Sequence, residues 1–463
     1  MGLRQPRAPH RLKQKEQAVS EFEHYRVGGF VRDTLLGKSP EDVDYVVVGE
    51  TPESMIARGF AQVGGHFPVF LHPETQEEYA LARSERSTGD GYADFEFVWE
   101  GVTLAEDLRR RDLTINAMAM TEDGKVVDLY GGQLDLLDGI LRHVSPHFAE
   151  DPLRILRVAR FAARLGYSVA EETRELMCQM VAQDMLAALP AERLWAETMK
   201  ALASPNPRRF FEVLNECGAL EVVFPEIHAL KGVVQRADYH AEGDAYVHTL
   251  MVLDEAAALS AGLPVERRLR VRLGALLHDL GKALTPHEDL YHADGSVRGA
   301  HPGHDDPDRF EPALKALAAR LKMPSSYAKF AYRCALVHQL VHRIQEGSGR
   351  SLVNLYDNLD LSRTLRHDAF ILDDVAMVCA ADNRGRRTLM ADGSMVQPVS
   401  YPQGDWFKAA MMALHALPVG LWMVEAMRSI SCQESAKGHV LGLRRSFAKS
   451  ISADIQHAAG ALS

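Results

Sequence analysis

YRVGGFVRDTLLGKSPEDVDYVVVG, residues Tyr25–Gly49, decides the reading of this chain. A short β-like run ends at the Gly28-Gly29 turn. An amphipathic helix follows, with Val31, Leu35 and Leu36 as its apolar positions. The chain turns again at Gly37–Pro40 and enters a strand over Asp42–Val48. Side chains alternate along a strand, so Asp42 and Asp44 leave the same face. Tyr45–Val48 is apolar enough to be buried on both sides. Two acids projecting together from such a strand are costly without a positive partner. A divalent cation that prefers oxygen ligands, such as Mg²⁺, supplies one. The glycine pair lets the backbone approach a phosphate, with helix N–H groups aimed at it. Arg32, one turn in, adds a fork of donors. Together these features favour a nucleotide site.

A chain of 463 residues exceeds one ordinary core, and three or four domains are expected. Residues 1–24 form a polar leader with Arg4, Arg7, Arg11, Lys13 and Lys15, and are expected to be disordered. Thr51–Gly59 reads as a helix capped by Thr51, Phe67–Leu71 and Glu78–Arg83 as strands, and Ser84–Tyr92 as a polar loop. With a further strand at Phe95–Val98, this predicts an α/β head over 25–145. Its sheet should be small, mixed or antiparallel, and backed by few helices. Leu104–Met120, containing EDLRRRDLTINAMAM, reads as a helix. From Glu150 the pattern becomes all-α. Glu150, Arg154, Arg157 and Phe161 share one helical stripe. A helical neck and body over 146–235, a second all-α domain over 236–400 and C-terminal helices over 401–463 complete the expectation.

The net charge of −11 argues against a general nucleic-acid binder and leaves room for a local basic patch. Cys178, Cys217, Cys334, Cys379 and Cys432 are scattered without CxxC spacing, as in a cytoplasmic protein with reduced thiols. No stretch reaches the length of a membrane span.

A second constellation comprises His248, His278-Asp279, His304, His338 and Asp382. An adjacent His-Asp on a helix, with an upstream His and a distant Asp, can gather a divalent metal that activates water toward phosphorus. His248, His278, Asp279 and Asp382 are the first candidates. His304 and His338 would complete a second metal or contact phosphate, and Lys282 would contact phosphate.

GGFVRDTLLGKSPEDVDYVVVG, LRRRDLTINAMA, EDPLRILRVARFAARLGY and ERLWAE closely resemble class II tRNA nucleotidyltransferases, the CCA-adding enzymes and their bacterial poly(A) polymerase cousins. The resemblance runs from Tyr25 to about Trp406. It implies a polymerase-β-like head, with Asp42 and Asp44 as Mg²⁺ ligands and catalytic carboxylates. Gly29, Arg32, Arg111, Arg157 and Arg160 are implied as ATP and CTP contacts, with Asp112 beside Arg111. Glu150, Asp151 and Arg154 match the EDxxR motif, whose Asp and Arg read the base. A carboxylate accepts from an exocyclic amino group and a guanidinium donates to base acceptors, so side chains alone can select cytosine or adenine. Glu78 is the candidate third carboxylate. Arg164, Arg174, Arg193, Lys200, Arg208 and Arg209 are candidate tRNA contacts.

YVHTL, LLHDLGK, HPGH, ALVH and AADNRGR follow the order of the HD phosphohydrolase superfamily. This head with an intact HD set resembles the multifunctional CCA proteins of some proteobacteria. The resemblance implies CCA addition to tRNA, with 2′,3′-cyclic phosphodiesterase, 2′-nucleotidase and phosphatase activities in the HD domain. There His278 and Asp279 are catalytic, and the metal is a divalent transition ion, Ni²⁺ being a candidate. It implies a cytoplasmic monomer or homodimer with no membrane partner. A poly(A) polymerase or a partial CC- or A-adding enzyme is the alternative on the same head, and a non-catalytic tRNA-binding protein is another.

Overall fold

A computed structural model describes residues 22–40, 42–63, 69–87, 95–390, 392–419 and 433–460. The leader up to residue 21, with its arginines and lysines, and Cys432 lie outside the described residues. Two compact units divide between Leu189 and Pro190, within the stretch expected as a single neck and body.

The first unit is built on a seven-stranded sheet. Its strands come from β1 (His24–Val27), β2 (Asp44–Val47), β3 (Ala61–Val63), β4 (Val69–Leu71) and β5 (Glu78–Leu81). A ribbon of β6 (Ser84–Ser87) and β7 (Phe95–Val98) intervenes before β8 (Met118–Met120) and β9 (Val126–Asp128). The sheet order is β3-β4-β5-β2-β1-β8-β9. β2 and β5 run parallel and the other neighbours antiparallel, which makes the mixed sheet expected of short strands. Val46 packs with Val27, Ala117 and Ala119, while Val47 packs with Met55, Phe70 and Leu81. Each valine is 1% exposed, so the Val46–Val47 end of β2 is buried on both faces. That burial contributes about 1.5–3 kcal/mol per valine. Tyr45 and Tyr79 stack across β2 and β5 at 4.2 Å. Thr51 caps the Pro52–Ala57 helix by accepting from Ser54 N.

Three expectations need correction. Ser84–Tyr92 is not all loop, since Ser84–Ser87 pairs antiparallel with Phe95–Val98. A two-stranded ribbon is held by main-chain bonds and needs no apolar pattern to form. Leu104–Met120 is not one helix. The helix ends at Arg109, a 3-10 turn covers Thr114–Asn116, and Met118–Met120 becomes an inner strand. A short apolar run reads alike as buried helix or buried strand. Glu150 is not on the helix that carries the arginines. It closes a 3-10 turn, Pro146–Glu150, and the helix begins at Leu153. Asp151 precedes Pro152 and is extended, at φ −120°, because the proline ring disfavours a helical neighbour.

The second unit is helical. Ala191–Ala203 and Pro207–Glu216 lead into a bundle of Ala245–Leu259, Val265–Leu277, Ser325–His342, Ile371–Gly385 and Gln403–His415. Asp244 caps the first bundle helix by accepting from Val247 N. Gly385 lets that helix approach Ile371–Gly385, since a Cβ there would lie 2.6 Å from Val252. This contact brings His248 and Asp382 to one level. Phe407, Met411 and Leu414 share the core of Val252, Val375 and Cys379, so Gln403–His415 is part of this bundle. Arg272 is buried and donates to the carbonyls of Leu202, Ser204 and Ala257, capping two helix C-termini.

Candidate functional site

The first site gathers at the Gly28 turn. Gly28 has φ +66° and ψ −125° and caps the Gly29–Leu35 helix. A Cβ there would lie 3.2 Å from Arg111 Nη1, so the turn and Arg111 are in contact. Asp44 pairs in register with Val27 on β1 and with Glu78 on β5. In a parallel pair, residues in register share a face, so Glu78 stands beside Asp44. Asp42 lies just before the strand, and both aspartates are exposed. The Asp44 carboxyl is raised, first by partial desolvation. Arg111 opposes the shift and Asp42 adds to it. Clustered hard oxygen donors with a strained charge balance fit a divalent cation.

Behind this turn lies a buried chain of charge. Arg32 donates to both oxygens of Asp33 at 2.9 and 3.0 Å and to Asn116 Oδ1 at 2.6 Å. Asp33 also accepts from Arg164 at 2.9 Å. Asn116 Nδ2 donates to Asp112 at 3.1 Å, and Arg157 pairs with the other Asp112 oxygen at 2.6 Å. Burial works against the charged form of Asp112. Arg157 and Asn116 overcome it and bring the carboxyl down to about 2. Arg111 is oriented by Asp107, whose carboxylate it meets at 3.1 Å. Arg160 lies over the Phe161 ring at 4.2 Å. Arg154 donates to the carbonyls of His147 and Arg110. Asp151 accepts from Leu153 N. Glu150 pairs with His147 through Oε1, and its Oε2 is buried without a hydrogen-bond partner. Arg32 is therefore a buried strut, 2% exposed, whereas Arg111 reaches the turn itself.

The second site lies in the HD bundle. His278 Nδ1 donates to Ala275 O at 2.7 Å, His304 Nδ1 to His301 O at 2.7 Å and His338 Nδ1 to Ala335 O at 2.9 Å. His248 Nδ1 donates to Glu242 Oε1 at 2.9 Å. With their protons so committed, all four histidines turn Nε2 lone pairs inward. There they meet Asp279 and Asp382. His248 Nε2 is 3.1 Å from Asp382, and His304 and His338 Nε2 are 3.3 and 3.5 Å from Asp279. His304 and His338 Nε2 face each other at 3.1 Å. His278 Nε2 and Asp279 Oδ1 are buried without hydrogen-bond partners. Lone pairs converging on carboxylates repel unless a cation lies among them, so the donor set fits divalent metal. The ligand atoms fall into two triads, His248–His278–Asp382 and Asp279–His304–His338. Asp279 and Asp382 are held far below the usual carboxylate range. Burial opposes this, and the positive charges of Lys282 beside Asp279 and Arg386 beside Asp382 outweigh it. Lys282 is itself buried and bonded to Asp279 and Gln235.

Known proteins match both sites. The model of the Poly A polymerase head domain matches residues 24–142. That of a probable RNA and SrmB-binding site of polymerase A matches 166–231, and the HD domain model matches 245–309. A multifunctional CCA protein of Neisseria gonorrhoeae (strain NCCP11945) is 46% identical over 418 residues, covering 90% of this chain and 94% of its own. This chain belongs to the multifunctional CCA protein family. A family member from Nitrosococcus oceani is 47% identical over 398 residues, 86% of this chain and 91% of its own. A solved apo CCA-adding enzyme shares the fold with a TM-score of 0.60 at 18% identity, over 95% of this chain and 90% of its own.

Within this multifunctional CCA protein fold, sequence reasoning missed several supporting residues. Asp33 and Asn116 link the arginines of the first site. Glu242, His342 and Arg386 surround the second, His342 and Arg386 both reaching Asp382 Oδ2. The helical spacing i, i+4 from His338 to His342 and from Asp382 to Arg386 was an available signal. Glu242 carried none, lying in a polar connection. The candidate tRNA-contacting cations have internal partners. Arg164 meets Asp33, Arg174 meets Glu171, Arg208 meets Glu212, and Arg209 meets Glu212 and Glu216. Lys200 reaches Glu197 with a side chain 63% exposed. Arg193 is lowered by burial, with Glu197 opposing.

Proposed function

We propose that this chain builds and repairs the 3′-terminal CCA of tRNA from CTP and ATP without a nucleic-acid template, and that its HD domain hydrolyses phosphate esters. The observation that supports the first half is the meeting of Asp44, Arg111 and the Gly28 turn. Phosphate-binding backbone, a guanidinium and paired carboxylates then serve one triphosphate. Mg²⁺ held by Asp42 and Asp44, with Glu78 as third carboxylate, would neutralise phosphate charge and acidify the attacking hydroxyl. Gly28 and Gly29 leave room for the triphosphate against the helix N-terminus. Arg111 holds its phosphates, while Arg157 and Arg160 line the pocket beside it. Arg32 acts from behind, fixing the turn through Asp33 and Asn116. The tRNA 3′-oxygen forms a bond to the α-phosphorus, the α–β bridging bond breaks, and pyrophosphate leaves. Asp151 and Arg154 choose the base, Arg154 exchanging carbonyl partners for base acceptors, with Glu150 Oε2 nearby as a spare acceptor.

For the second half, the support is the convergence of four histidine Nε2 atoms on the buried Asp279 and Asp382 carboxylates. His248, His278, Asp279 and Asp382 would hold divalent metal, with His304 and His338 completing a second position. Such an ion, Ni²⁺ included, would supply an activated water and polarise phosphorus. 2′,3′-Cyclic phosphates and 2′- and 3′-phosphates at damaged RNA ends are the proposed substrates, and their removal would expose the hydroxyl that the head extends.

The test uses tRNA lacking its last three nucleotides, with CTP, ATP and Mg²⁺. Products should stop at plus three. A long adenylate ladder would support a poly(A) polymerase, and arrest at plus one or two a partial enzyme. In the same assay Glu78→Gln should slow incorporation at least tenfold. A wild-type rate would remove Glu78 from the site.

A further inference from the structure

Three of the four inward-facing histidines of the HD bundle owe their orientation to backbone. His278, His304 and His338 each donate Nδ1–H to a carbonyl three residues earlier, so the chain's own turn sets the ring. His248 differs. Its Nδ1 partner is a side chain, Glu242 Oε1 at 2.9 Å. The same oxygen accepts from His240 Nδ1 at 2.8 Å, and Glu242 Oε2 accepts from Arg387 N at 2.8 Å. The Glu242 side chain is 1% exposed. His240 packs edge-on against His248 with ring centroids 4.7 Å apart. A carboxylate with three donors in so dry a place is over-determined in position. It can therefore pass that position on to the ring it holds.

We propose that Glu242 is the positioning residue of the HD centre. It orients His248 so that Nε2 faces Asp382, and it ties that histidine to the backbone just beyond the Asp382 helix. The two ends of the clamp matter together. His248 lies on Ala245–Leu259 and Asp382 on Ile371–Gly385, 134 residues apart in sequence. Arg387 comes just after Arg386, which caps the second helix. Glu242 therefore fixes both the rotation of one ligand and its distance from another. A charged acceptor on Nδ1 also makes Nε2 a stronger donor to metal. The same three groups, His240, Glu242 and His248, lie close enough to hold an ion themselves. His248 would then have to ligate through both nitrogens and give up its Nδ1 proton. Glu242 already supplies an acceptor for that proton, so the geometry favours positioning.

The inference rests on the reading of the HD centre as a metal site, and the experiment separates the two. The full chain is stripped with chelator and titrated with Co²⁺ alone, followed by its visible absorption and by competition with a chelating dye. If the wild-type chain takes up no Co²⁺, the metal reading fails. If it does, Glu242→Gln should bind Co²⁺ roughly 10–100-fold more weakly with unchanged stoichiometry, and Glu242→Asp should recover part of the loss. Affinity within twofold of wild type in a Glu242→Gln chain that unfolds at the wild-type temperature would overturn the proposal. So would the loss of one bound ion per chain, which would make Glu242 a ligand. Should Glu242→Gln not fold, the wild-type chain decides through ¹⁵N–¹H correlation of the His248 ring. A proton on Nδ1 is expected, and a proton on Nε2 overturns the clamp.

Discussion

Two strands of the buried charge network meet at Asp112. Asn116 and Leu113 N hold one carboxylate oxygen and Arg157 the other. Its carboxyl stands at about 2, with burial opposing and Arg157 and Asn116 prevailing. In an unfolded chain the same group titrates near ~3.9. The folded value is depressed, so its contribution is present above that pH and lost as pH falls toward 2. The difference corresponds to roughly 2–3 kcal/mol at neutral pH. Asp112→Asn should lower the unfolding temperature of the full chain at pH 7 and flatten the loss of stability between about pH 4 and 2. Calorimetry or circular dichroism against pH checks this, and an unchanged acid limb would make the Arg157 pair unimportant. The sequence singled out Asp112 as the neighbour of Arg111. It did not disclose that Arg157, 45 residues later, would be its partner, because an ion pair across elements leaves no periodic trace in either.

Among elements, the strand–turn–helix of residues 25–35 was legible because its chemistry is local. A glycine pair, a following apolar spacing and a β-branched run each act within a few residues. TINAMAM was not legible, since it becomes a turn and an inner strand only where β1 and β9 stand ready to pair with it. The Gly28 turn gives the element-scale prediction. At φ +66° and ψ −125°, an alanine costs ~1–3 kcal/mol in backbone strain. Its Cβ would also sit 3.2 Å from Arg111 Nη1, pushing that guanidinium away from the position proposed for the triphosphate. Gly28→Ala should raise KM for CTP and ATP and cut incorporation at least tenfold, while hydrolysis of a cyclic phosphate stays at the wild-type rate. Equal loss of both activities would mean general misfolding. Unchanged KM would mean the turn does not meet the nucleotide.

Among the described residues, the named partners of each centre belong to its own unit. Around the Gly28 turn they come from helices and strands before Leu189. Around His278 they run from Gln235 to Tyr401, whose hydroxyl meets His342 Nδ1 at 2.9 Å. The candidate carboxylates of both units could be singled out in the sequence because metal sites reuse fixed residue types in a fixed order. The clamp residues were not, since any acid can hold a histidine from any loop that reaches it. Self-contained centres predict reciprocal variants. Asp42→Ala removes a proposed ligand of the first centre and should abolish CMP and AMP incorporation on truncated tRNA, with cyclic phosphate hydrolysis retained. Asp279→Ala removes the carboxylate of the Asp279–His304–His338 triad, and should abolish hydrolysis and lower bound metal while incorporation persists. Its fold needs a separate check, because the substitution leaves Lys282 buried without its carboxylate, a cost of about 3–5 kcal/mol for a broken buried pair. Asp279→Asn keeps the volume and serves as the second variant. If a folded chain of either kind lost both activities, the two centres would be coupled through the units, and the division of labour between them would be wrong.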